Sequence, residues 1–360
     1  VENDQWRLYS EEQERHGSFE EMPTIDTLNN WTSKMLVYLE VWERHITYVQ
    51  DDRIREVALD GPDTCTRAQV VWQVKVKKLK NGGTPEEILD KLGQERRPGT
   101  GLLARARRNE EENNPCLTPV ESRYRGAENQ LYRVEVHQGS QATAEGDADG
   151  ATFKWSRDNG SVVYPIQSIV GNEVQVEHLG RGECSELKEG DCVEVLDDFT
   201  ALRGEAGILA KVESIQRPEL RVVLKLPNGV DDLQQYQQED IDVKHPLLRR
   251  WDHNGSLDDQ LQGALPVNAG DWIQLENGVE IYFESDGDYR VGDYWLIPAR
   301  TATGDVEWPR EGEEPVAKIA NGPKHYYAPL MIRKKKLDGS WEVENCRHSI
   351  TQAAKPEEGV

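Results

Sequence analysis

Met35-Leu36-Val37-Tyr38-Leu39-Glu40-Val41-Trp42-Glu43-Arg44-His45-Ile46-Thr47-Tyr48 is the stretch on which the fold turns. Val37, Leu39 and Val41 alternate with Tyr38, Glu40 and Trp42. A period of two puts the first set on one face of a pleated strand and the second on the other, as in a half-buried strand. Working outward, Val70, Trp72, Val74 and Val76 repeat the pattern, as do residues 131–136 and 220–226. A shorter version sets Val174 and Val176 among Glu173, Gln175 and Glu177. Ten Trp and twelve Tyr accompany these runs, while 30 Gly and 17 Pro break the chain at short intervals, as strands joined by turns require.

One helix is signalled. Thr84 is a good N-cap, Pro85 falls at the first helical position, and Glu87 is placed to close a capping box. Ile88, Leu89 and Leu92 give it a small apolar face, and Gly93 can stop it. The polar stretch over 94–114, rich in Arg and Glu, reads as an excursion from the β scaffold. Gly190-Asp191, Gly270-Asp271 and Gly292-Asp293 each precede an apolar run. Gly accepts positive φ and Asp can bond the turn amides, so these aspartates are read as strand starters.

The patterns predict a mainly β chain of two or more small β-sandwich or barrel modules with a short helical excursion near 84–93. The expected order is a polar leader over 1–30, a β module over 31–127 and a β-sandwich or barrel module over 128–246. Another β module follows over 247–345, with a loose tail over 346–360.

Acidic residues number 66 against 43 basic ones in a chain of 360, a net charge of -23. Such a field repels phosphate backbones, so nucleic acid is excluded as a partner, and the basic runs at Arg105, Arg107, Arg108 and 333–336 are read as solvated faces. No stretch approaches the roughly 20 apolar residues of a membrane helix, and no signal peptide opens the chain, so membrane insertion is not expected. Val1 in place of Met is what a trimmed chain would show. Of the five cysteines, only Cys184 and Cys192 are close enough for a local bridge, and the lack of a C-x-x-C pair disfavours structural zinc.

Several blocks carry a family resemblance. They are Tyr38-Leu39-Glu40-Val41-Trp42-Glu43-Arg44-His45, Arg53-Ile54-Arg55-Glu56-Val57-Ala58-Leu59, and Gly61-Pro62-Asp63-Thr64. Further along stand Glu128-Asn129-Gln130-Leu131-Tyr132-Arg133-Val134-Glu135 and Ala151-Thr152-Phe153-Lys154-Trp155-Ser156-Arg157-Asp158-Asn159-Gly160. Asp293-Tyr294-Trp295-Leu296-Ile297-Pro298-Ala299-Arg300-Thr301 and His325-Tyr326-Tyr327-Ala328 complete the set. Together they resemble a bacterial domain-of-unknown-function family, domain of unknown function 6519, over nearly the whole chain. The resemblance implies a place in phage-tail-like or injection-particle assemblies. Family members usually open with a Gly-Arg-Val and Asp-Trp-Asn-Glu signature; this sequence lacks it, as expected of a chain cut at Val1. No catalytic residues carry over.

Three constellations could carry chemistry. Glu145, Asp147, Asp149 and Gly150 match the first half of a calcium loop, but Ser156 stands where a bidentate Glu belongs. A solvated acidic hairpin loop is the preferred reading there, and Ca2+ is the one cofactor the sequence admits. Trp155, Arg157, Asp158 and Asn159 combine ring, cation, carboxylate and amide at one turn; Arg250, Trp251, Asp252 and His253, followed by Asn254-Gly255, repeat the recipe. Stacking on an aromatic face and bonding to planar polar groups would hold a sugar. The preferred reading makes both segments hairpin turns with Trp in the core and Arg paired to Asp.

For catalysis, Glu40, Glu43, Asp158 and Asp252 could supply carboxylates, although Glu40 and Glu43 point to opposite faces of their strand. His325, Tyr326 and Tyr327 with Arg300 could serve proton abstraction in a lyase. With no Walker loop, G-x-S-x-G or H-E-x-x-H present, the sequence leans away from an enzyme. The expected function is a structural or adhesive module of a phage-tail-like, injection-particle or cell-surface assembly, with glycan binding as a role it could add. The alternative is a carbohydrate-active enzyme, polysaccharide lyase or glycoside hydrolase. Protein partners or a surface glycan are expected, at an extracellular, particle-associated or, before assembly, cytoplasmic address.

Overall fold

The computed structural model describes residues 34–61, 63–79, 84–95, 101–106, 123–141, 150–180, 182, 185–285, 288–336 and 338–347. They fall into two compact units. One holds the described residues of Val1–Arg44, Val70–Arg97 and Lys324–Val360, the other those of His45–Gln69 and Pro98–Pro323. Among the described residues no helix is long and apolar enough to cross a membrane.

The smaller unit is built on a four-stranded sheet in the order Arg67–Lys78, Met35–Ile46, His325–Lys335, Trp341–Asn345. Alternation in the second strand holds: Leu36, Tyr38, Glu40 and Trp42 are buried while Val37, Leu39 and Val41 are only partly so. In the neighbouring Arg67–Lys78 strand the buried side begins at Val71, 1% exposed, whereas Val70 is 62% exposed. The reason is Lys75, which must share the Val71 face to reach the buried Glu40 carboxylate at 2.5 Å. Glu40 also receives His325 at 2.8 Å and the Tyr327 hydroxyl at 3.2 Å. Burial alone would raise its carboxyl, but the His325 hydrogen bond and the Lys75 charge outweigh that and hold it at about 2.

The Pro85–Glu95 helix has the expected cap. Thr84 Oγ1 accepts from the Glu87 amide and Glu87 Oε2 from the Thr84 amide, both at 3.2 Å. Leu89 and Leu92 close on Leu36, Tyr38 and Ile332. Gly93 does not end the helix, which runs to Glu95, because its backbone stays in the helical basin.

The larger unit joins a barrel to a sandwich. Six strands close the barrel in the order Ile208–Gln216, Arg221–Lys225, Glu173–Val176, Val163–Val170, Leu247–Trp251, Cys192–Leu196. Beside it, a five-stranded sheet runs Leu265–Pro266, Thr152–Ser156, Gln130–Gln138, Tyr294–Arg300, Asp305–Val306. It shares one apolar core with a three-stranded sheet of Trp272–Gln274, Val279–Phe283 and Leu102–Ala106. The excursion read over 94–114 therefore contains a true strand, Leu102–Ala106, paired with Val279–Phe283.

The units divide the chain differently from a succession of modules at 128–246 and 247–345. Leu247–Trp251 pairs with both Val163–Val170 and Cys192–Leu196 and so closes the barrel. Tyr294–Arg300 pairs with Gln130–Gln138 in the sandwich. Gly190, Gly270 and Gly292, at φ of 91°, 90° and 83°, do precede the Cys192–Leu196, Trp272–Gln274 and Tyr294–Arg300 strands as expected. Cys192 is a buried free thiol, which burial and the Glu194 charge push up to about 12; Cys184 lies outside the described residues.

The pattern over 131–136 predicts a half-buried strand; instead Gln130–Gln138 and Thr152–Ser156 are buried on both faces. Tyr132, Val134, Val136, Phe153 and Trp155 enter the apolar core. Among the residues on the opposite side, Lys154 Nζ reaches Glu194 Oε1 of the barrel at 2.6 Å and Glu135 Oε1 at 3.3 Å. Glu194 also accepts from Trp251 Nε1 at 2.9 Å and from the Gly207 amide at 2.8 Å, while Arg133 Nε holds Glu135 at 2.6 Å. Burial works against the Glu135 charge, yet Arg133, Lys154 and Arg249 together keep its carboxyl at about 2. Burial depresses His137 and His253 to about 4, helped in both by the Lys154 charge.

The two neutral rings, with the ionised Glu135 and Glu40, tie stability to pH on the acid side. Between pH 6.5 and 4 the unfolded chain binds protons that buried His137 and His253 refuse, so stability falls as pH drops through that window. Each tenfold loss of proton affinity on folding is worth about 1.4 kcal/mol, giving a fall of up to about 3 kcal/mol per ring. Below about pH 4.5 protonation of Glu135 adds to the loss. Urea unfolding at pH 7.5, 6 and 5 should show the fall already under way at pH 5, and the double variant His137→Gln/His253→Gln should flatten it.

Candidate functional site

The Thr152–Ser156 strand ends in a tight turn in which Asn159 and Gly160 take φ of 55° and 63° and the Ser161 amide bonds Asp158 O at 3.0 Å. Two successive positive φ values are what an Asn-Gly hairpin turn supplies. The Leu247–Trp251 strand reaches this turn from the barrel: the Asp252 amide bonds Trp155 O at 2.9 Å, and Asp252 Oδ2 accepts from the Arg157 amide at 2.9 Å. The two segments singled out in the sequence are thus hydrogen-bonded to one another.

Their charged side chains line one cleft of about 350 Å³. Asp252 Oδ1 lies 3.5 Å from Arg157 Nε and 3.5 Å from Arg250 Nε, and neither nitrogen makes a hydrogen bond. Arg157 also reaches Glu276 at 2.9 Å, and Arg250 reaches Asp158 at 3.7 Å. Glu128 and Gln130 close one side, and Glu186, Lys188 and Asp191 the barrel side. Burial, with the neighbouring Asp252 charge, raises the Asp158 carboxyl against the pull of Arg250 and Arg157. Burial raises Asp191 as well, although the Lys188 amide bonded to it pulls the other way.

The other residues of the recipe lie elsewhere. Trp155 packs against Tyr132 in the sandwich core, ring centroids 6.0 Å apart. Trp251 is 1% exposed and bonded to Glu194. His253 is buried with Nε2 2.9 Å from Gly263 O. Asn159 serves the turn's backbone. Strand alternation persists through both: the Trp155 ring enters the sandwich core, opposite Lys154, and the Trp251 ring turns to Glu194, opposite Arg250 and Asp252, and neither ring lines the cleft. The cleft is therefore walled by carboxylates and guanidinia, which accept from and donate to hydroxyl groups respectively.

Asp191 was legible only as a strand starter, Glu128 only as part of a family block, and Glu186 and Lys188 carried no sequence signal. Glu145, Asp147 and Asp149 lie outside the described residues. Among the described residues no cluster of three or more metal-ligating side chains occurs. In the smaller unit His325 and Tyr327 meet Glu40, Glu43 is exposed on the other face, and Tyr326 is 66% exposed. Arg300 is held by Glu307 through two bonds of 2.9 Å.

A mainly β chain with a barrel–sandwich unit and a charge-lined cleft is the class the geometry defines. Over residues 24–97 and 88–355 it matches the family of unknown function (DUF6519), and the chain belongs to that family. No curated protein and no solved structure matches it.

Asp252 and Asp158 should separate in stability. Asp252→Asn removes the charge facing Arg250, 7% exposed, and should cost about 2–4 kcal/mol in urea unfolding at pH 7. Asp158, more open and with its charged form disfavoured, should change stability by less than about 1 kcal/mol as Asp158→Asn.

Proposed function

We propose that this chain is a structural or adhesive module of a phage-tail-like, injection-particle or cell-surface assembly, and that the polar cleft of the larger unit holds a hydroxyl-rich surface glycan. One observation carries this reading: two turns 95 residues apart in sequence are bonded together and turn Arg157, Asp158, Arg250 and Asp252 toward one cavity. Burying two guanidinia and two carboxylates in incompletely bonded pairs costs stability that an apolar joint would avoid. Alternating donors and acceptors suit hydroxyl groups. Affinity per cleft would be weak, so many copies on a particle would supply avidity. The family resemblance supplies the setting.

A carbohydrate-active enzyme is the second reading, favoured by the placement of Asp158 and Asp191 in one cleft, where burial raises both carboxyls, the direction a general acid requires. One panel of neutral and anionic polysaccharides separates the two, assayed for binding, reducing ends and unsaturated products. Binding without product, weakened about tenfold or more by Asp191→Asn in a folded protein, is the expected result. Turnover abolished by a single carboxylate change would move the assignment to an enzyme. Failure of the parent to bind any glycan would remove the glycan from the proposal.

A further inference from the structure

On the outer face of the three-stranded sheet, the register pairs Trp272 with Tyr282 and Tyr282 with Leu103, a row of side chains across three strands. Their neighbours Ile281, Phe283, Leu102 and Ala104 point the other way, into the core. The Trp272 and Tyr282 rings stand 5.6 Å apart, inclined at 51°. The Arg105 guanidinium, held by Glu280 at 3.0 Å, lies 3.8 Å from the indole centroid and fixes that ring in place. Beside the rings lies an open depression of about 500 Å³, lined also by Leu103, Glu284, Ser285 and Ala317. Glu284 Oε2 accepts from the Gly101 amide at 3.0 Å, a contact a side chain at 101 would obstruct. Both rings are only partly buried, and the volume falls within the range of small-ligand sites.

We propose that this depression is a second ligand site, separate from the charged cleft, and that it takes a pyranose ring of a glycan. The C–H face of the sugar lies against the ring pair, and its hydroxyls reach Glu284 and Ser285. Two rings inclined to one another cannot both stack on a flat aromatic ligand, whereas a puckered sugar offers C–H bonds on its face and its edge. A wholly apolar ligand would strip water from the Glu284 carboxylate without replacing its hydrogen bonds, and an anionic one would meet like charge. The proposal goes beyond the charged-cleft reading and does not depend on it.

The test is saturation-transfer NMR with tetramers of β-1,4-linked glucose and of N-acetylglucosamine, run on the parent chain and on Asp191→Asn, which weakens the charged cleft and leaves the depression untouched. Saturation should reach the ring C–H protons of at least one tetramer in both proteins, and sorbitol, with hydroxyls but no ring, should receive none. Trp272→Leu and Tyr282→Leu, which keep apolar bulk, should each weaken binding about tenfold, while Tyr282→Phe should stay within about twofold. No transfer from the parent to either tetramer would overturn the site, and that measurement needs no variant to fold. Leu variants that fold and bind as the parent does would overturn it equally, as would loss of all transfer in Asp191→Asn.

Discussion

Lys154 and Glu194 meet at 2.6 Å, with side chains 3% and 1% exposed, one from the sandwich and the other from the barrel. Two charges so far from water are costly, and the attraction between them offsets that cost only when every remaining hydrogen bond is made. Here most are. Glu194 accepts from Lys154, Trp251 and Gly207, and Lys154 lies 4.6 Å from the Trp251 ring centroid, a favourable place for a cation. Packed apolar residues of similar volume could hold the two layers as firmly. An ion pair of this kind tolerates no sliding, because any shift strands a buried charge.

The cleft follows from that register. Lys154 sits two residues before Ser156, where the strand gives way to the Arg157–Gly160 turn, and Trp251, bonded to the same Glu194, sits one residue before Asp252. Fixing the two strands against each other therefore fixes the meeting of Asp252 with Arg157 and Arg250. The charges of the cleft and of the buried seam are the alternate faces of the same strands. His137 and His253, neutral at the seam, make the joint sensitive to acid.

Much of the architecture was legible because it is local. Period-two alternation marked the Met35–Ile46 strand, and the Thr84 and Glu87 pair marked the helix cap to the residue. Gly190, Gly270 and Gly292 marked turns because only a positive φ suits those positions. The Arg157–Asp158 and Arg250–Asp252 groups were legible as turn chemistry. Trp155 and Trp251 are core rings, as the hairpin-turn reading of both segments has it, because alternation continues through them and no turn gathers them to the cleft. The faces of Gln130–Gln138 misled: Arg133, Glu135 and His137 look like a solvated side, and their partners Lys154 and Glu194 lie far along the chain. The closing of the barrel by Leu247–Trp251 was invisible for the same reason, because a strand's partner is set by tertiary packing.

A double-mutant cycle on Lys154→Met and Glu194→Gln, followed by urea unfolding at pH 7.5, is the most direct measurement of that constraint. Each single change should be strongly destabilising, and the double variant should recover enough to give a coupling of about 2 kcal/mol or more, as expected for a close buried pair. Single effects that add within about 0.5 kcal/mol would contradict the central role given to the Lys154–Glu194 contact.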